Sequence, residues 1–116
     1  MLLTNALAQE SQRMVVVRIF GTLAACSTGV TDGWRDTATM IGGQLRERFG
    51  DQIVLEYFDL FGAEMDRFPA VLAGVSQQGL TLPLVYINDE LFSSGGKING
   101  PAIRRRIEVL TQASEI

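Results

Sequence analysis

Two short runs, Val15-Val16-Val17 and Leu84-Val85-Tyr86-Ile87, lack a polar face. A strand with one face in water alternates apolar and polar residues, whereas a run that does not alternate is covered on both faces. Both runs are therefore expected as central strands of one sheet with helices above and below it. The first extends over Met14 to Phe20. At 116 residues, 47% of them apolar and 20% charged, the chain has the length and composition for a single core of this layered kind.

The rest of the chain supplies the covering helices. Residues 1–13 carry no clear period and are expected as an N-terminal extension outside the core, leaving residues 14–116 as the domain. Thr31 or Asp32 can cap a helix running from Gly33 to Phe49, because Trp34, Ala38, Ile41, Leu45 and Phe49 fall on one helical face. Gly42-Gly43 inside that helix costs roughly 1 kcal/mol per glycine against alanine, which close packing on the sheet would offset. Gly50 ends it. A second strand is expected over Gln52–Leu60, parallel to the first through a right-handed crossover.

A second helix is expected with its cap near Asp66 and with Met65, Phe68, Leu72 and Val75 on one face. Pro69 falls in its first turn, where a missing N–H has no partner to lose, and Gly79 closes it. Asn88-Asp89-Glu90 between apolar runs predicts a tight hairpin. After Gly95-Gly96 and Gly100, Pro101 opens a closing helix with Ile103, Ile107 and Leu110 facing inward. The order is βαβαββα. It predicts a four-stranded mixed sheet in the order second, first, third, fourth, with the first two helices on opposite faces or the outer helices sharing one.

Charge and composition exclude several classes of function. A net charge of -3 provides no basic footprint for nucleic acid or an anionic membrane. Arg104-Arg105-Arg106 would point in different directions on a helix and reads as a solvated face. Glu56, Asp59 and Asp66 read as solvated or capping groups, and Trp34 and Phe68 as core. No run approaches the ~18 apolar residues of a membrane span, and the N-terminus has no basic leader region. A single cysteine excludes an internal disulfide and a self-contained zinc site, and fits a reducing, cytoplasmic location. There is no histidine and no glycine-rich phosphate fingerprint, and no cofactor is expected.

If the chain does chemistry, Cys26 is the residue to carry it. It lies in the small-residue loop that follows the first strand, Gly21 to Val30. The topology brings the start of the third strand to the same sheet end. Pro83 opens that strand and cannot donate to a ladder, so a neighbouring backbone edge is left for an extended thiol-bearing peptide.

The βαβαββα order, a cysteine just after the first strand, and Thr81-Leu82-Pro83-Leu84 opening the third resemble the thioredoxin fold. That resemblance implies a cis Leu82–Pro83 bond facing the nucleophile of a C-x-x-C motif. The corresponding residues are Cys26-Ser27-Thr28-Gly29, so the nucleophile is present and Gly29 stands at the resolving position. Cys26-Ser27-Thr28-Gly29-Val30 and Leu82-Pro83-Leu84 also resemble the arsenical-resistance metallochaperone and repressor family, over most of residues 14–112. That family binds As(III) or Sb(III) with three thiolates. Here Ala25 and Thr31 stand where two of them would be, leaving Cys26 as the one metal ligand. The chain is similar as well to small bacterial disulfide-oxidoreductase-like proteins, through Pro83-Leu84 and Asn88-Asp89-Glu90.

Three functions follow. Cys26, with Ser27, Thr28 and Gly29 around it and Leu82 and Pro83 binding the substrate, can exchange with a mixed disulfide, the cycle being completed by a protein or low-molecular-weight thiol. It can contribute one thiolate to a soft-metal or metalloid site, which then needs a homodimer or added thiols. Or the fold is a non-catalytic binding module with Cys26 as a small packed side chain.

Overall fold

The computed structural model describes the backbone of residues 14–22, 24–26, 29–31 and 33–115, and the side-chain surroundings of 14–22 and 33–111. In chain order the elements are β1 (Val15–Gly21), β2 (Ala24–Cys26), β3 (Gly29–Thr31), α1 (Gly33–Phe49), β4 (Ile53–Asp59), α2 (Pro69–Gln78), β5 (Leu84–Ile87), β6 (Glu90–Ser94) and α3 (Gly100–Glu115). The proposed extension over residues 1–13 lies outside the described residues.

The four long strands form one sheet in the order β4-β1-β5-β6, as the apolar runs predict. β1 runs parallel to β4, with Val15 beside Ile53 and Gly21 beside Asp59. It runs antiparallel to β5, with Phe20 beside Leu84. The fold is thus α/β, a mixed sheet flanked by three helices.

Alternation along β1 divides the core. Val15, Val17 and Ile19 face Ala38, Ile41 and Leu45 of α1 and Ile103 and Ile107 of α3. Phe20, on the other face, joins Phe58, Leu84, Met65 and Val71. So α1 and α3 share one face and α2 lies on the other. Each fully buried Val, Ile or Phe is worth about 1.5–3 kcal/mol, so this double burial is what holds β1 in the centre.

Local signals explain the ends. Asn88 and Asp89 both have positive φ, the conformation of a two-residue hairpin turn between β5 and β6. The Asn88 amide donates to the Val16 carbonyl, and the Asn88 Oδ1 accepts from the Val16 amide, which carries the β1–β5 pairing past Ile87. Asn99 caps α3: its Oδ1 accepts from the Ala102 amide at 3.0 Å.

Four expectations are corrected. The segment around Cys26, read as a loop, is a second small sheet in which β2 and β3 pair antiparallel. The second helix is not capped near Asp66: a 3-10 turn spans Ala63–Arg67, and α2 begins at Pro69 without a side-chain cap. The break at Phe68 (φ -129, ψ 58) resets the helical phase, so Val71 is buried and Leu72, expected inside, is 38% exposed. The second strand is trimmed by one residue at each end, to Ile53–Asp59.

Candidate functional site at the C-terminal end of β1

Three chain segments meet where β1 ends. The first is the turn after β4: the Leu60 amide donates to the Gly21 carbonyl at 2.7 Å. Asp59 Oδ1 accepts from the Phe61 amide at 2.9 Å and from the Thr22 hydroxyl at 3.4 Å. Gly21 is required here by space. A methyl group on it would lie 2.9 Å from Cε3 of Trp34 and would collide with the Tyr57 hydroxyl.

The second segment is the β2–β3 hairpin. Ala24 pairs with Thr31, Ala25 with Val30, and Cys26 with Gly29. The first and last residues of the Cys26-Ser27-Thr28-Gly29 tetrad are therefore cross-strand partners, and Ser27 and Thr28, between them, lie outside the described residues. Cys26 ends β2, while α1 starts at Gly33. The free N–H groups of a helix start belong to its own first turn, so Cys26 does not share them through the chain.

The third segment is the entry to β5. The Leu82–Pro83 peptide bond is cis, as the resemblance implies, and Pro83 is buried. A single hydroxyl ties the residue before this dipeptide to the far strand: Ser94 Oγ accepts from the Thr81 amide at 3.0 Å and donates to the Thr81 carbonyl at 3.1 Å. The Gly95 amide donates to the Pro83 carbonyl at 3.0 Å. Among the described residues, the Leu82 amide and carbonyl have no hydrogen-bond partner.

Between the start of α1 and the exit of β6 lies an open cleft of about 500 Å³, lined by Thr22, Gly33, Trp34, Thr37, Gly96, Lys97 and Ile98. Trp34, expected as core, is half-buried: one ring edge packs on Gly21 and the rest walls this cleft. Helical spacing finds the face of α1, but its first turn overhangs the sheet end, where that face meets a cleft instead of a core. Lys97 and Thr22 were not legible as site residues; the nearest signal was Gly95-Gly96, whose left-handed φ values turn the chain toward α3. Phe68 is likewise half-buried, at the edge of the second core cluster. Among the described residues no three His, Cys, Asp or Glu side chains converge on a possible metal site, and no helix is long and apolar enough to cross a membrane.

No protein-family model matches the chain, and no curated protein matches it. Among solved structures it is similar to SA0789 from Staphylococcus aureus, a protein of unknown function. The two share 22% identity with a TM-score of 0.60, over 83% of this chain and 90% of that one. At that identity the likeness concerns the fold.

Proposed function

We propose that the chain is a thioredoxin-like protein in which Cys26 acts as a monothiol toward an external disulfide. The Cys26 thiolate attacks one sulfur of the disulfide, a Cys26 mixed disulfide forms, and the other sulfur leaves as a thiolate. A thiol from a second molecule then attacks the mixed disulfide and restores Cys26, because Gly29 carries no sulfur to do so. The partner is a protein or low-molecular-weight thiol.

The observation that carries this reading is a juxtaposition at one end of the sheet. The hairpin bearing Cys26 leaves β1 there, and the backbone of Leu82, without a partner among the described residues, precedes the β5 strand beside it. An extended peptide can pair with that amide and carbonyl while presenting a cysteine to the hairpin. The test is incubation of the full chain with glutathione disulfide, followed by mass spectrometry. The wild type forms an adduct that only added thiol removes, and Cys26→Ser forms none. The chain alone does not sustain insulin reduction with a dithiol reductase.

One observation favours a second reading, a binding module without catalysis: Cys26 ends a strand instead of starting a helix, which removes one common source of thiolate stabilisation. An adduct forming no faster on the folded chain than on the unfolded one selects this reading. Uptake of As(III) by two or three chains per ion, or with added thiols, selects the metalloid carrier.

A further inference from the structure

On the opposite face of the sheet, α2 leaves a separate cavity of about 230 Å³ against β1 and β5. Its floor is aromatic. Phe20 is buried, with Phe68 and Tyr86 edge-on to it at 5.2 and 5.6 Å between ring centroids. Its rim is cationic. The guanidinium carbon of Arg18 lies 5.3 Å from the centre of the Phe68 ring, and that of Arg67 lies 5.1 Å from the same centre. Two positive charges thus converge on one ring.

The two are not equivalent. Arg18 is neutralised from both sides, by Glu56 at 3.1 Å from Nε and by Asp89 at 2.6 Å from Nη1. Asp89 lines the cavity too, but its carboxylate is committed to Arg18. Arg67 has no carboxylate within ion-pair distance among the described residues; only the Phe58 and Phe68 rings hold it. Two further residues with donors line the same space. Ala70, in the first turn of α2, follows a proline and has no side-chain cap above it, and the Tyr86 hydroxyl has no hydrogen-bond partner among the described residues. An apolar slot bordered by a guanidinium and by N–H and O–H donors that have no partner among the described residues matches a ligand with a flat apolar body and one negative end.

We infer that this cavity binds a small carboxylic acid carrying one aromatic ring, the ring against Phe20 and Phe68 and the carboxylate on Arg67. Size sets the one-ring limit: a cavity of about 150 Å³ holds benzene, and drug-sized ligands need about 300 Å³ or more. The site is independent of the thiol chemistry. Arg18 and Tyr86 lie on the face carrying α2, and the Asn88-Asp89 turn marks the end of β5 away from Pro83.

The test titrates phenylacetate, phenylacetamide and acetate into the 15N-labelled full chain and follows amide shifts. Phenylacetate should bind saturably with a Kd of roughly millimolar, shifting Ala70, Val71 and Tyr86 and leaving Trp34 and Lys97 unmoved. Phenylacetamide, of the same shape without the charge, and acetate, with the charge but no ring, should each bind about tenfold or more weakly. Arg67→Gln, at an exposed position, should weaken phenylacetate by a similar factor and bring it level with the amide, its folded spectrum checked first. The proposal is overturned if phenylacetate shifts none of these amides, if the amide binds as well as the acid, or if Arg67→Gln changes nothing while its spectrum remains folded.

Discussion

One hydroxyl, that of Ser94, satisfies both backbone groups of Thr81, accepting from its amide and donating to its carbonyl. The dipeptide Leu82–Pro83 is thereby fixed between this clasp and the first rung of β5. Ser94→Ala should cost about 1 kcal/mol in urea unfolding, because Thr81 is exposed and water replaces part of the bond. Exchange with a peptide disulfide should slow more than exchange with glutathione disulfide, since in the proposed exchange only the peptide pairs with the Leu82 backbone.

Gly21 leaves space for two side chains, and filling it has a specific remedy. Gly21→Ala should destabilise by about 1–3 kcal/mol, the usual cost of overpacking. Tyr57→Phe removes the nearest clashing atom, so the double variant should recover part of that loss. Denaturation of the two single variants and the double variant measures the coupling.

Much of the architecture was legible because burial writes itself into sequence. Val15-Val16-Val17 and Leu84-Val85-Tyr86-Ile87 named the central strands, and Ile103 and Ile107 the inward face of the last helix. The β2–β3 hairpin was not legible: two three-residue strands, Ala-Ala-Cys and Gly-Val-Thr, carry too little pattern to stand out from a loop. Leu72 was misplaced because a period followed through Phe68 crosses a break in the helix. The bonds from Arg18 to Glu56 and Asp89 join residues far apart in the chain, and no local signal announces them. The aromatic cavity was hidden for the same reason: Phe20, Phe68 and Tyr86 come from β1, the break before α2, and β5, far apart in the chain.

The register of the hairpin makes a prediction at position 29. Facing residues of antiparallel strands have Cβ atoms about 4.5–5.5 Å apart, close to the ~3.5–4.5 Å of a disulfide. Since Cys26 faces Gly29, Gly29→Cys should close an intramolecular disulfide on mild oxidation. Free-thiol titration should then read none in the oxidised variant and two after reduction, and dithiol turnover should appear.

Tyr86 provides a pH test of the sheet face that carries α2. Burial raises its hydroxyl above the ordinary value of 10.0, so the folded state favours the neutral phenol. In the unfolded chain the phenol ionises first, near pH 10. The stabilisation is therefore whole below that pH and is lost as pH climbs through the higher folded value. Tyr86→Phe should lose stability less steeply than the wild type above about pH 10, as read by urea midpoints.

The central claim, that Cys26 is a reactive monothiol, is tested most directly by its alkylation rate in the folded protein as a function of pH. There is one cysteine, so the rate reports one sulfur. The account predicts a half-maximal rate clearly below the ordinary thiol value of about 8.5, reverting to that value when the chain is unfolded in urea. A folded-state midpoint at or above the ordinary value, with every partner interaction of the wild type unchanged in Cys26→Ser, contradicts it.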